Sequence, residues 1–349
     1  MNPTPSELTA FAPGRVNLIG EHTDYNAGLA LPFAIAEGVT VRARALPHRR
    51  IEAAALDLGQ ADVFSLEAPG RAQGWRAFVR GLAAELVDRG CELPGARLEI
   101  SGTVPRGAGL ASSAAFAVAV ALALSGLAGD SRDTEGERVE LATLCSRVEN
   151  DWVGARSGLL DQLASLFGER DSAVAIDFES LEIQLVPLAL VGHRLVLLDS
   201  GEKHLNAASG YNERRAECER ACALLGLETL RQATLDDAGR LPPPLDDRVR
   251  HVVGENERVR TAVDALRTRD WVLLGDLLNA AHESLRELYR VSTPALERAV
   301  ERLREAGALG ARLVGGGFGG HVLALMPSGA ELAAGAFEVR AGGRARVMS

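Results

Sequence analysis

Aromatic residues are scarce in this chain of 349, at 4%, with three tyrosines and three tryptophans. A single-stranded nucleic acid would find no stacking stripe on it. A formal net charge of -9 likewise gives no basic face for a phosphate backbone, so nucleic acid is not an expected partner. Lysine is rarer still. Lys203 is the only one and follows Gly-Glu, which excludes the GxxxxGK[ST] loop and its phosphate-binding lysine. Cysteine is limited to Cys91, Cys145, Cys218 and Cys222, with no disulfide-framework spacing, no CxxC and no HExxH. The last two share a helical face, as half of a metal site or simply as buried thiols. No uninterrupted apolar run reaches membrane-spanning length, and MNPTPSELTA lacks the basic and apolar segments of a signal peptide. A cytoplasmic protein without membrane contact is expected.

What remains is ordinary globular composition, 47% hydrophobic and 24% charged, long enough for two substantial cores. Alternation in VTVRARAL and ARLEISG reads as strands. From Ala111, the run ASSAAFAVAVALALSGLAG reads as a buried helix, followed by helical patterns over Glu135 to Trp152 and Leu159 to Phe167. Beyond the strand-like AVAIDF and RLVLLDS the chain reads as helical to about Ala306, broken at LPPPLDD. A last strand pair, ARLV and HVLALMP, flanks GGGFGG. No internal repeat or flexible linker is evident, so two closely packed domains are expected, 1-190 and 191-349.

Chemistry concentrates in four places. FAPGRVNLIGEHTDYN, residues 11 to 26, places Arg15, Glu21, His22 and Asp24 between apolar runs. One fixed cation and several hydrogen-bonding groups suit a polyol and an incoming phosphate; a polar surface loop is the plainer reading. VPRGAGLASSAA feeds Gly107 and Gly109 into the start of the Ala-rich helix, where unpaired N–H groups and the helix dipole favour an anion. Ser112 and Ser113 there either cap the helix or turn a hydroxyl toward a metal ion. ENDWVGARSGLLDQLASLFG sets Glu149 near one helix end and Asp161 in the first turn of the next, where the helix amino terminus and Arg15 favour a negative charge. Both acids also fit solvated helix positions. Gly315, Gly317 and Gly320 satisfy GxGxxG, but a strand follows rather than a helix, which excludes a dinucleotide fold.

The first of these stretches resembles the signature of the galactokinases, within the larger GHMP family that also contains homoserine, mevalonate and phosphomevalonate kinases. The others resemble that family's nucleotide loop PxGxGLSSSAA, its GIMDQ segment and its glycine loop. Three departures stand out: Ala111 for the first serine, Ser157 where cysteine is frequent, and Leu313-Val314 for Met-Thr. The resemblance implies an α+β fold, the first domain like ribosomal protein S5 domain 2 and the second ferredoxin-like, with the active site between them. It implies transfer of the γ-phosphoryl group of ATP, with Mg²⁺, to the anomeric hydroxyl of α-D-galactose. Asp161 would be the catalytic base beside Arg15. Glu21, His22, Asp24, Gly158 and Tyr211 would bind the sugar, although an exposed helix-start tyrosine also explains Tyr211. Pro105, Gly107, Gly109, Leu110, Ser112, Ser113 and Ala114 would hold ATP, with Trp75 on the adenine or, equally, in the core. Ser113 and Glu149 would hold Mg²⁺. The expected enzyme is a monomer or weak homodimer with galactose and ATP-Mg as partners. The alternatives are a same-fold kinase of N-acetylgalactosamine or arabinose, or a non-catalytic galactose sensor.

Overall fold

Alternation decides the first sheet. In the computed structural model, which describes residues 6–105, 109–155, 157–202 and 207–348, Val39, Val41 and Ala43 point inward while Arg42 and Arg44 face solvent. They belong to β3 (Pro32–Leu46), which follows β1 (Glu7–Asn17) and β2 (Leu29–Ala30) and precedes β4 (Arg50–Ala55), β5 (Gln60–Ser65) and β6 (Gly95–Gly102). The buried face is covered by α2 (Ser112–Leu127) and α4 (Leu160–Phe167), against which α1 (Trp75–Asp88) and α3 (Glu135–Val148) pack. Helix α2 is the centre of this layer. It is apolar all round, and of Ala114 through Leu127 only Phe116 escapes full burial, as its composition requires.

The second half begins with β7 (Ser172–Asp177) and β8 (Glu182–Pro187), which join β2 in a three-stranded sheet. Then come β9 (His193–Asp199), α5 (Ala207–Leu225), α6 (Leu235–Ala238), α7 (Leu245–Thr268), α8 (Trp271–Glu287), α9 (Pro294–Glu305), β10 (Gly310–Leu313), β11 (His321–Pro327), β12 (Phe337–Val339) and β13 (Arg346–Met348). The second main sheet runs β10-β11-β9-β12. Helix α9 starts at a Thr293 cap with proline in its first turn, as helix-start chemistry predicts.

Three details depart from the sequence reading. ARLV and HVLALMP are not the last strands: β12 and β13 follow, each too short to carry a visible alternation. Strand β13 returns to the first sheet and pairs with β1, Thr9 opposite Met348, giving the order β13-β1-β3-β6-β4-β5. The helix expected to reach Trp152 ends at Val148 and widens into a π-helical turn over Glu149–Val153, closed by Gly154 at φ 89°. Such turns recur where a helix must present a functional side chain.

Candidate active site

A bulge delivers the arginine. The register of β1 against β3 shifts between Pro13 and Arg15, and a bulge re-aims the side chain that follows it. Here Arg15 N donates to Leu110 O at 3.1 Å. A Cβ on Gly14 would meet that same carbonyl at 2.5 Å, so only glycine lets the two segments approach. The Arg15 guanidinium, in a residue 7% exposed, then works at both ends: Nη1 donates to Gly109 O at 2.6 Å, and Nη2 pairs with Asp161 Oδ1 at 2.6 Å. One buried cation therefore ties the glycine loop ahead of α2 to the carboxylate in the first turn of α4.

Neither serine at that loop caps α2. The cap position is Ala111, left-handed at φ 58° and without a side-chain cap bond, which leaves capping out as the purpose of Ser112 and Ser113. Both serines line a cavity of about 370 Å³ with Trp75, Phe78, Ile100, Val104 and Phe116. Trp75 both lines this cavity and packs against the first hydrophobic core, with its Nε1 donating to Gln60 Oε1 at 3.0 Å. Leu110 and Ala114 are buried beneath the loop and Pro105 is exposed; Gly107 lies outside the described residues.

Glu149 is not a solvated helix charge. It opens the π-helical turn, is buried, and its Oε2 accepts hydrogen bonds from Ser157 Oγ at 2.9 Å and Gln162 Nε2 at 2.8 Å. Burial, and then the nearby charge of Asp161, push its carboxyl up to about 7. The serine at 157 in place of cysteine thus supplies a hydroxyl donor that a thiol would match only weakly.

Beside Arg15 and Asp161 lies a second cavity of about 180 Å³, walled also by Glu21, His22, Asp24, Ser157, Gly158, Tyr211, Gly315 and Gly316. It is smaller than the roughly 300–1,000 Å³ of drug-sized pockets and suits one small polar ring. Size alone does not mark the site. A cavity of about 490 Å³ beside β9 and β12 is larger, but its Arg340–Glu338 pair is solvent-exposed. In the smaller cavity, desolvation raises the Asp24 carboxyl to about 6, with the charges of Asp161 and Glu21 adding to the shift. A Cβ on Gly158 would lie 2.0 Å from Asp24 Oδ2, so the glycine keeps that carboxylate in place. Tyr211, on α5, lines the wall rather than standing free at a helix start.

Several residues that hold this geometry were not singled out in the sequence. Arg312, fully buried on β10, donates to Asn17 O and Leu18 O and pairs with Glu21 Oε1 at 2.9 Å. Gly315 N donates to the same carboxylate at 2.7 Å. On α7, Glu255 accepts from Gly20 N and Asn256 from Leu29 N, so the loop between β1 and β2 is clasped from the second half of the chain. Arg312 stands inside the glycine-loop motif, where a buried charge flanked by Ala311 and Leu313 was the available signal. Leu313 and Val314 are buried, in keeping with a role in packing.

Comparison with known proteins bears on the same segments. The family model described as the Galactokinase galactose-binding signature matches residues 2–45, that of the GHMP kinases N terminal domain residues 77–169, and that of the GHMP kinases C terminal residues 262–345. The chain is 40% identical to the galactokinase of Thermotoga petrophila over 320 residues, 91% of this chain and 89% of that one. It is 42% identical to the galactokinase of Mycobacterium tuberculosis over 327 residues, 91% and 88% of the two chains. Among solved structures, Lactococcus lactis galactokinase complexed with galactose superposes with a TM-score of 0.90 at 31% identity, covering 98% of this chain and 95% of that one. The mevalonate kinase of Methanococcus jannaschii, with a TM-score of 0.70 at 19% identity over 97% and 100% of the chains, shares the fold.

Proposed function

The chain belongs to the GHMP kinase family, among its galactokinases, and from that premise we infer how its own residues phosphorylate α-D-galactose at the anomeric hydroxyl with ATP. The α+β fold carries the family's amino- and carboxy-terminal domains. The observation that supports the assignment of roles is the Arg15 bridge between Gly109 and Asp161, because it joins a phosphate-binding loop to a sugar-sized cavity through one buried cation.

Phosphoryl transfer through a loose transition state asks mainly for alignment and charge neutralisation. Asp161 orients the anomeric hydroxyl and receives its proton late, while Arg15 keeps the base aligned and balances charge on the group in transit. Glu21, Asp24 and Tyr211 bind the remaining hydroxyls, with His22 and Gly158 shaping the wall. The triphosphate lies against Pro105, Gly107, Gly109, Leu110 and Ala114 with the α2 amino terminus and the hydroxyls of Ser112 and Ser113, and the adenine lies against Trp75.

Among the described residues no cluster of three or more His, Cys, Asp or Glu gathers as a metal cage. A magnesium ion bound largely by nucleotide phosphates needs only one or two protein oxygens. Ser113 and Glu149 fit as that pair, since the crowding of Glu149 by Asp161 is what a divalent cation reverses. When bound, the ion neutralises phosphate charge. Glu149→Gln is expected to raise the Mg²⁺ concentration for half-maximal rate by about tenfold and to leave galactose affinity within about twofold. A Mg²⁺ titration with calorimetric sugar binding checks this; an unchanged metal requirement removes Glu149 from the ligand set.

The Asp24 carboxyl gives a pH test. Its value rises from 3.8 to about 6 on folding, so the folded protein holds this proton more tightly and acidification from pH 7 to 5 favours the fold at this group. The same proton removes the acceptor that the sugar needs. Galactose Kd is therefore expected to rise about tenfold between pH 7 and 5 while the melting temperature does not fall on account of Asp24. Calorimetry across that range decides, and a flat Kd would take Asp24 out of hydroxyl recognition.

Among the described residues no helix is long and apolar enough to cross a membrane. We place the enzyme in the cytoplasm, as a monomer or weak homodimer, where sedimentation would reveal its state.

A further inference from the structure

All three tyrosines of this chain meet at one histidine. The rings of Tyr25, Tyr211 and Tyr289 lie 5.9, 5.3 and 4.6 Å from that of His22, and Tyr289 is fully buried. Three residues so widely separated in sequence are drawn to a wall of the sugar cavity, yet no step of the transfer uses Tyr25 or Tyr289.

The hydrogen bonds around them have one consistent direction. Gly316 O, 3.3 Å from His22 Nε2, can only accept, so Nε2 carries the hydrogen. Burial and the neighbouring His251 lower His22 to about 3, leaving the ring neutral with a single hydrogen. Nδ1 is then an acceptor, and Tyr25 Oη, at 2.9 Å, donates to it. With its one hydrogen so directed, Tyr25 accepts from Tyr289 Oη at 3.1 Å. Tyr289 in turn accepts from the Cys218 thiol at 3.1 Å. Asn26 Nδ2 spans the two ends, donating to His22 O at 2.8 Å and to Cys218 Sγ at 3.6 Å. The opposite tautomer would set a ring lone pair against the Gly316 carbonyl and leave two buried acceptors facing each other.

We propose that Cys218, Tyr289 and Tyr25 form a directed hydrogen-bond relay that fixes His22 as its Nε2–H tautomer, so that His22 holds Gly316 and the β10–β11 glycine loop against the sugar cavity. Tyr25 and Tyr289 are positioning residues, acting through His22. Both ring nitrogens are engaged inside the protein, which makes the ring a strut between the loop after β1 and the glycine loop. His251, whose ring lies 4.2 Å from that of Tyr289, follows the same logic: its Nε2 lies 3.1 Å from Glu21 O, which accepts, and its Nδ1 2.8 Å from Ser284 Oγ. Only the identity of the cavity's occupant rests on the galactokinase reading.

The tautomer can be read directly by two-bond ¹H–¹⁵N correlation on protein labelled with ¹⁵N-histidine, without sugar, with the His22 signals assigned from the His22→Gln variant. The wild-type protein is expected to show His22 with its hydrogen on Nε2 alone. Tyr25→Phe should admit the second tautomer and raise the KM for galactose about tenfold with kcat within about twofold, and Tyr289→Phe should do less. Cys218→Ser, which retains a donor, should match wild type where Cys218→Ala does not. Wild-type His22 carrying its hydrogen on Nδ1, or as a mixture, overturns the relay without any variant; so does a Tyr25→Phe protein with unchanged tautomer and KM. Because the spectrum needs no substrate, failure of the sugar assignment would appear in turnover and leave the tautomer result standing.

Discussion

Asp161→Asn should lower kcat by roughly 10²- to 10⁴-fold, the range that a general base contributes, and leave galactose Kd within a few-fold of wild type. The amide keeps the shape of the side chain and its place in the first turn of α4. It loses the charge that meets Arg15 Nη2 at 2.6 Å, and it cannot receive the proton of the anomeric hydroxyl. Its neighbours limit collateral damage. Gln162, the next residue, still donates to Glu149, so the buried acid behind the site keeps its partner. Steady-state kinetics beside calorimetric sugar binding separates the two effects, and near-normal kcat in a folded Asp161→Asn protein would remove Asp161 from the chemistry.

The second large effect concerns which sugar is accepted. Asp24 lies in a cavity where desolvation already disfavours its charge, with Gly158 pressed against one oxygen and Tyr211 on the adjoining wall. A carboxylate so placed depends on the hydroxyls it binds. In glucose the O4 hydroxyl points away from its axial position in galactose, and the acceptor would be left buried and unpaired. Sites that bond a particular hydroxyl reject analogues lacking it by up to roughly 10⁴-fold. Galactose is therefore expected to exceed glucose by at least about 10³-fold in kcat/KM. N-acetylgalactosamine should also be poor, since a cavity of about 180 Å³ closed by Tyr211 and Gly316 leaves little room for an acetamido group. Asp24→Ala should erode the preference together with the rate. Equal efficiency toward glucose or N-acetylgalactosamine in a sugar panel would contradict this account of recognition.

The legible part of the site was the part that chemistry makes dense. Arg15, Glu21, His22 and Asp24 stood together in sixteen residues, and the glycine loop before α2 announced an anion site because a helix start offers unpaired N–H groups wherever it occurs. Buried helix α2 was legible because a long Ala- and Leu-rich run without a single charged residue leaves no other place for it. Strands β12 and β13 were not, for three residues carry no period and their pairing depends on where the rest of the chain has folded. The π-helical turn at Glu149 was hidden for a related reason: a widened turn keeps nearly the same side-chain spacing as the helix that it ends. Arg312 and Tyr289 were missed because their partners, Glu21 and Tyr25, lie more than 250 positions away in sequence and meet them only across the domain junction.

The central claim is that Arg15 and Asp161 deliver the phosphoryl group of ATP to one oxygen of one sugar. Its most direct test is ³¹P NMR of the product formed by the purified protein from ATP, Mg²⁺ and galactose. The account predicts one ADP for each phosphomonoester, with the phosphorus coupled to H1 of α-D-galactose. ADP released without a sugar phosphate, or a phosphate carried on any other hydroxyl, would contradict it.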